Sequence, residues 1–110
     1  MSARELYNAE TLAIGTHTTA VVPLKDHRTV HAFDYKITGD GNVTVTPYTS
    51  IAGQFYVSNG AKVSGVVKTS GPGGDGVDAV AMRLKPADFI YFSVEVAGDA
   101  VVLTLNFVQK

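Results

Sequence analysis

Apolar and polar residues alternate along most of the chain, and this repeat of two predicts β-strands. Val, Ile, Thr, Tyr and Phe fill short runs, which Gly, Asp, Asn and Pro interrupt at intervals of about ten residues. The predicted strands are Thr11–Gly15, Thr19–Leu24, Thr29–Thr38, Asn42–Tyr48, Gln54–Val57, Lys62–Thr69, Val77–Leu84, Phe89–Ala97 and Ala100–Val108. Because no crossover helix separates them, we expect an all-β fold. The expected architecture is a single antiparallel β-sandwich over residues 1–110. A jelly roll is the preferred topology, and another Greek key is the alternative.

The first ten residues have two open interpretations. Ser2-Ala3-Arg4-Glu5 matches the capping box that begins many helices, and Leu6 would continue the helix. So short a helix is marginal unless it packs on another element, and an extended arm that docks on a neighbour fits equally well. Residues 1–10 are therefore predicted as a short helix or an arm, with Leu6 and Tyr7 as contact residues.

The last two predicted strands are expected to form a hairpin around Gly98-Asp99, a two-residue loop typical of primed turns. A slip of one residue would mix apolar with polar side chains, so the pattern specifies the register. The predicted apolar pairs are Val96 with Val101, Val94 with Leu103, Phe92 with Leu105 and Ile90 with Phe107.

A second hairpin is predicted around Gly39-Asp40-Gly41. A three-residue loop with Gly41 in the left-handed conformation suits a type I turn followed by a bulge. The predicted pairs are Ile37 with Val43, Tyr35 with Val45 and Phe33 with Pro47.

The outward face of the predicted C-terminal hairpin mixes apolar with polar side chains and has few charges. A monomeric sandwich normally keeps such a face polar, and the final strand leaves an edge available for pairing. We therefore expect a homo-oligomer or a subunit of a larger assembly. The predicted interface residues are Phe89, Tyr91, Val102 and Val108 of the hairpin, with Leu6 and Tyr7 of the N-terminal segment.

Composition narrows the function classes. Hydrophobic residues make up 45% and charged residues 17%, which disfavours disorder, and a formal net charge of −1 disfavours nucleic-acid binding. The sequence has no Cys, and therefore no disulfide, thiol nucleophile or cysteine zinc site. No apolar run indicates a secretory signal or a membrane span, so neither nucleic acid nor membrane is an expected partner.

A glycine-rich segment, Gly71-Pro72-Gly73-Gly74-Asp75-Gly76, has the spacing of dinucleotide-binding loops. That site requires a helix N-terminus after the glycines to receive the pyrophosphate. The following residues, Val77–Met82, alternate like a strand. We therefore predict a loop between sheets and no nucleotide cofactor.

No metal site is predicted from the histidines or the acidic residues. His27 and His31, four residues apart, would share a face of a helix but not of a strand, and His17 is distant in sequence. The loop aspartates lack the spacing of a calcium loop, and Asp is common in turns. They are Asp26, Asp40, Asp75, Asp78, Asp88 and Asp99.

No arrangement of residues indicates an enzyme. The chain has no Cys and no G-x-S-x-G elbow, and nothing beside Ser64 or Ser70 would activate a hydroxyl. Glu5, Glu10 and Glu95 have no spacing that shows two carboxylates converging on a glycosidic bond. We therefore expect no catalytic residue and no cofactor.

The alternative function is a small carbohydrate-binding module, because sandwiches often present aromatic platforms. The candidate residues are Tyr35, Tyr48, Phe55, Tyr56 and Tyr91. Tyr35 is predicted to face the core, and Phe55 and Tyr56 face opposite ways. Tyr48 and Tyr91, with one loop aromatic, remain as the predicted platform, and the chain has no Trp.

Several strand and turn patterns together resemble small virion proteins encoded among the structural genes of tailed bacteriophages. The segments are Asp34–Gly41, Val43–Ile51, Gly73–Asp78, Pro86–Phe92 and Ala100–Leu105, within Thr29 to Val108. The resemblance implies a non-enzymatic β-sandwich subunit, such as a capsid decoration (cement) protein that sits on the shell as an oligomer, often a trimer. The implied partners are other copies of the chain and the major capsid or other virion proteins. The implied location is the virion, after synthesis in the host cytoplasm, and neck, tail and fibre-associated roles stay open. This structural role is the first function expected from the sequence.

Overall fold

The alternating segments form ten strands in the computed structural model, which describes residues 3–24, 30–60 and 62–109. Their pairings are antiparallel. Those ranges contain no helix, and hence none that is long and apolar enough to cross a membrane. The strands are β1 (Ala3–Leu12), β2 (Gly15–Thr18), β3 (Val22–Pro23), β4 (Val30–Gly39), β5 (Asn42–Ser50), β6 (Val57–Ser58), β7 (Val63–Val66), β8 (Val77–Arg83), β9 (Phe89–Ala97) and β10 (Val101–Gln109).

The strands are divided between two sheets. The four-stranded sheet has the order β1-β10-β4-β8, and the six-stranded sheet has the order β2-β9-β5-β6, with β3 also on β9 and β7 also on β5. If β2 with β3 and β6 with β7 are each counted as one interrupted strand, eight positions remain, in the orders 1-8-3-6 and 2-7-4-5. This is the double Greek key of a jelly roll, so the predicted all-β sandwich and its first topology are confirmed.

The core lies between the sheets, where the inward side chains of every long strand meet. Ile37, Ile90 and Leu103 are completely buried, and their strand neighbours on either side are more exposed. The ring of Phe92 lies 5.4 Å from that of Phe33 and 5.6 Å from that of Phe107, which joins the sheets by tilted aromatic contacts. Inward and outward residues therefore follow the alternation seen in the sequence.

Both predicted hairpins are wrong. Strands β9 and β10 lie in different sheets, as do β4 and β5, and the real partners are β10 with β4 and β9 with β5. Leu103, for example, pairs with Ile37, and Val94 pairs with Val45. Two consecutive strands that face each other across a core present the same apolar alternation as two strands of a hairpin. The sequence pattern therefore cannot separate a hairpin from a connection between sheets.

The N-terminal segment is neither a helix nor a free arm over its described residues. Ala3–Leu12 forms β1, which pairs with β10, and Met1 and Ser2 lie outside the described residues. Tyr7 and Leu12 point to the core, so burial of an apolar face outweighs the weak capping signal. The expected open edge on the last strand is also wrong, because β10 lies between β1 and β4.

Candidate functional site

Tyr48 and Tyr91 are direct cross-strand partners in the six-stranded sheet. Their strand neighbours, among them Ile90 and Phe92, are buried in the core, so the two tyrosines emerge on the outer face. The rings lie 5.3 Å apart at an angle of only 9° and are both half-buried. The sheet thus presents a paired aromatic surface to solvent.

The connection between β5 and β6 adds a third ring. Tyr56 places its ring 5.1 Å from that of Tyr91 in an edge-on contact. Ser50 fixes the start of this connection, since its Oγ accepts the Gly53 N–H at 2.8 Å and its carbonyl oxygen accepts the Asp88 N–H at 3.0 Å. We name the surface formed by Tyr48, Tyr56 and Tyr91, with the hydroxyl rows described next, the tyrosine face.

Hydroxyl groups extend from the tyrosine pair towards one end of the sheet in regular rows across the strands. Successive rows lie two residues apart along the strands, a spacing of about 6.7 Å. These rows carry one charged side chain, Glu95. From one end of the sheet the rows are Thr16 with Glu95 and Thr44, then Thr18 with Ser93 and Thr46, then Tyr91 with Tyr48 and Ser58.

The tyrosine face places hydroxyl groups beside the exposed parts of aromatic rings. The electron-rich face of an aromatic ring attracts the weakly positive C–H groups of a sugar ring. Ser, Thr and Tyr hydroxyls each donate one hydrogen bond and accept others, which matches the hydroxyls of a sugar. The exposed parts of these rings and the hydroxyl rows therefore place apolar contact area beside hydrogen-bonding groups.

A second surface feature lies at the end of the sandwich beyond the tyrosine face. Ile51 and Phe55, in the connection between β5 and β6, are 72% and 75% exposed, and Val57 is 56% exposed. These side chains, with Pro86, line an open cavity of about 360 Å³. Exposed apolar side chains beside a concave surface are typical of contact sites.

The six predicted interface residues do not form one surface. Phe89 and Tyr91 lie on the outer face of the six-stranded sheet, and Val102 and Val108 lie on the strand β10 of the other sheet. The division follows from the absence of the predicted hairpin. Leu6 packs against the core and Tyr7 is buried.

Burial has a chemical consequence at Tyr7. Removal from water, with a smaller effect of the Glu10 carboxylate, raises the pKa of the Tyr7 hydroxyl above 10.0. Burial, with a smaller effect of Asp78, likewise raises the pKa of Tyr35. Tyr35 faces the core, as predicted, and is no part of the tyrosine face.

The two histidines that the structure describes, His17 and His31, each have contacts within the fold. His17 Nε2 lies 2.7 Å from the Ala13 carbonyl oxygen, His31 is buried with its ring 5.6 Å from that of Phe107, and His27 lies outside the described residues. Among the side chains that the structure describes, no three His, Asp or Glu are close enough to hold a metal ion.

The acidic and glycine-rich loops have structural contacts. Asp40 pairs with Lys68 at 2.6 Å, and this hydrogen-bonded cation lowers the pKa of the Asp40 carboxyl. Asp26 lies outside the described residues. The segment from Gly71 to Gly76 forms turns and leads into strand β8, so it lacks the helix that a dinucleotide site needs.

Sequence reasoning identified Tyr48, Tyr91 and the need for a loop aromatic, and the structure brings all three together, with Tyr56 as the loop residue. It missed the hydroxyl rows. Their signal is the repeat Thr-x-Thr, which occurs at Thr16–Thr18 and again at Thr44–Thr46 and aligns hydroxyls on one face of a strand.

Comparison with known proteins gives a fold and no family. No family model and no curated protein sequence matches the chain. A solved structure with a similar fold is the C-terminal CBM6, a carbohydrate-binding module, of LamC, a marine laminarinase from Zobellia galactanivorans. The two chains are 10% identical, and the alignment covers 98% of this chain and 100% of the module with a TM-score of 0.50. At this identity the likeness shows the β-sandwich fold alone.

Proposed function

We propose that this chain is a non-catalytic carbohydrate-binding domain, and that the tyrosine face holds a segment of a neutral polysaccharide. The observation that carries the proposal is the convergence of Tyr48, Tyr56 and Tyr91 on one outer face beside rows of hydroxyls. The similar fold of a carbohydrate-binding module supports it. A single carboxylate, Glu95, in the rows favours an uncharged ligand over an anionic one.

Binding is tested by titration calorimetry and by affinity electrophoresis with neutral polysaccharides, for example β-glucans and xylan. Tyr91 contacts both other rings, so Tyr91→Ala is the most informative change. Loss of one aromatic stacking contact is expected to weaken binding by about tenfold. Tyr91→Phe keeps the ring and should bind far better than Tyr91→Ala.

The matched control is Thr38→Ala, which removes an exposed hydroxyl from the opposite sheet. It should leave binding unchanged. The proposal is wrong if no neutral polysaccharide binds, or if Tyr91→Ala and Thr38→Ala bind equally well while both remain folded by circular dichroism.

The second candidate function is a structural subunit of a phage virion, the role implied by the resemblance noted in the sequence. The exposed apolar side chains of Ile51, Phe55 and Val57 favour it, because such a surface suits a protein partner. A capsid or portal gene beside the coding sequence, and cosedimentation with purified capsids that Phe55→Glu abolishes, would support this role. A neighbouring gene for a polysaccharide-degrading enzyme would support the first.

A further inference from the structure

Within the described residues, three of the four sheet edges carry features that hinder the addition of another strand. Strand β1 has two register shifts against β10, between Glu5 and Tyr7 and between Tyr7 and Glu10, and several charged side chains. The β2 and β3 edge is interrupted and contains Pro23, and the β6 and β7 edge is short and has a register shift of its own. The fourth edge, β8, differs from all of these.

Strand β8 is a long and regular edge. It has seven residues, pairs with β4 without a register shift, and contains no Pro. Its two charged residues are Asp78 and Arg83, and the positions between them are Ala79, Val80, Ala81 and Met82. Such an edge is a template for strand pairing.

The hydrogen bonds indicate which backbone groups of β8 face outward. The Ile37 N–H donates to the Gly76 carbonyl oxygen at 2.9 Å, so in an antiparallel ladder the even-numbered residues of β8 bond to β4. The odd-numbered residues then point their N–H and C=O groups away from β4. Gly71 lies against the Val77 carbonyl oxygen, whereas Ala79 and Ala81, in the middle of the strand, are exposed. In agreement, the Ala79 N–H is bound by the Asp78 carboxylate at 2.8 Å.

We propose that β8 pairs antiparallel with β8 of a second copy of this chain, joining two four-stranded sheets into one eight-stranded sheet. In a register centred on Val80, Ala79 of each copy lies opposite Ala81 of the other. These two residues are exposed and small, so nothing in their side chains blocks the approach. Val80 lies opposite Val80 of the second copy, and the core-facing surfaces of the two four-stranded sheets lie on the same side of the joined sheet.

The opposite charges at the two ends of β8 favour antiparallel over parallel pairing with a second copy. An antiparallel arrangement places the Asp78 end of each strand beside the Arg83 end of the other, while a parallel one would bring like charges together. In the single chain the Asp78 carboxylate satisfies an outward N–H, and pairing replaces that bond with a backbone carbonyl. The strand is therefore its own complement. The tyrosine face lies on the six-stranded sheet and remains exposed in this dimer, so the proposal does not depend on carbohydrate binding.

The test is the molar mass of the full chain by light scattering and sedimentation over micromolar to millimolar concentrations, combined with amide hydrogen exchange. A dimer is expected, with exchange at the Ala79 and Ala81 amides slowing as concentration rises. Ala81→Pro removes an outward N–H but no hydrogen bond to β4, and should raise the dissociation constant by about tenfold or more. The matched control, Ala81→Val, keeps the N–H and should remain dimeric.

Circular dichroism establishes that both variants fold, and exchange in the unmodified chain provides a second readout that needs no variant. A chain that is monomeric throughout the concentration range would overturn the proposal. So would a dimer in which the Ala79 and Ala81 amides gain no protection, or one that Ala81→Pro leaves intact. Pairing of β8 with a strand of another protein, while the chain alone stays monomeric, also overturns it.

Discussion

Gly41 lies where two connections between the sheets touch, and a methyl group there should strongly destabilise the fold. The connection from β4 to β5 passes against the one from β9 to β10. A Cβ at Gly41 would overlap the carbonyl oxygen of Asp99 and lie 2.9 Å from Val101 Cγ1. Non-bonded carbon atoms prefer about 3.5–4.0 Å, so Gly41→Ala must push two backbone segments apart.

The cost follows from what the new methyl group meets. Overpacking a well-filled site costs about 1–3 kcal/mol, and the obstacle here is backbone, which cannot rotate away as a side chain can. We expect a loss of about 3 kcal/mol, equivalent to a decrease in Tm of roughly 10–15 °C for a domain of this size. Urea and thermal unfolding followed by circular dichroism measure both quantities.

Gly98→Ala is the matched control. Gly98 has a φ of +82°, but an added Cβ would meet nothing within 4 Å. Its cost is the left-handed backbone alone, about 1 kcal/mol. If β4 and β5 formed the predicted hairpin, Gly41→Ala would likewise cost only the strain of a left-handed backbone. Equal and small losses for the two variants would therefore refute the contact between the connections.

Two further changes have defined outcomes. Asn59→Ala removes a buried amide whose oxygen accepts the Lys85 N–H at 3.0 Å and whose nitrogen donates to Thr49 Oγ1 at 2.8 Å. It should lower the free energy of unfolding by about 2 kcal/mol in urea, whereas the exposed Ser58→Ala should cost little. The pKa of Tyr7 is higher in the folded state than the value of 10.0 in the unfolded state. The contribution of the neutral hydroxyl to stability is therefore complete below pH 10.0, and it is lost as the pH rises through the folded-state pKa. Tyr7→Phe should therefore reduce the alkaline decline in unfolding free energy, and an unchanged decline would contradict the burial of this hydroxyl.

The sequence pattern predicted where strands lie far better than how they pair. Asn42–Ser50 and Phe89–Ala97 occur almost as expected, because alternation reports which side chains face the core. Pairing depends on which strand lies beside which within a sheet, and an inward-facing Leu103 has the same pattern whether its neighbour is Val94 or Ile37. The jelly-roll prediction and the hairpin predictions were in fact incompatible, since this topology places β9 and β10 in opposite sheets.

The candidate site was predicted only where it depended on single strands. Tyr48 and Tyr91 face outward because their neighbours face inward, and that follows from alternation. Their mutual stacking, and the arrival of Tyr56 from a loop, required the β5 and β9 pairing. The predicted interface residues are divided between the two sheets for the same reason, since Tyr91 and Val102 share a surface only if their strands form a hairpin.

The central position of β10 also sets the order in which the molecule can be assembled as it is synthesised. Strands β1 and β4 are both made early, yet each pairs with β10 and neither pairs with the other. Until residues 101–109 have left the ribosome, β1 has no partner in its sheet and β4 can reach only β8. Until β10 has been made, the four-stranded sheet cannot close over the core.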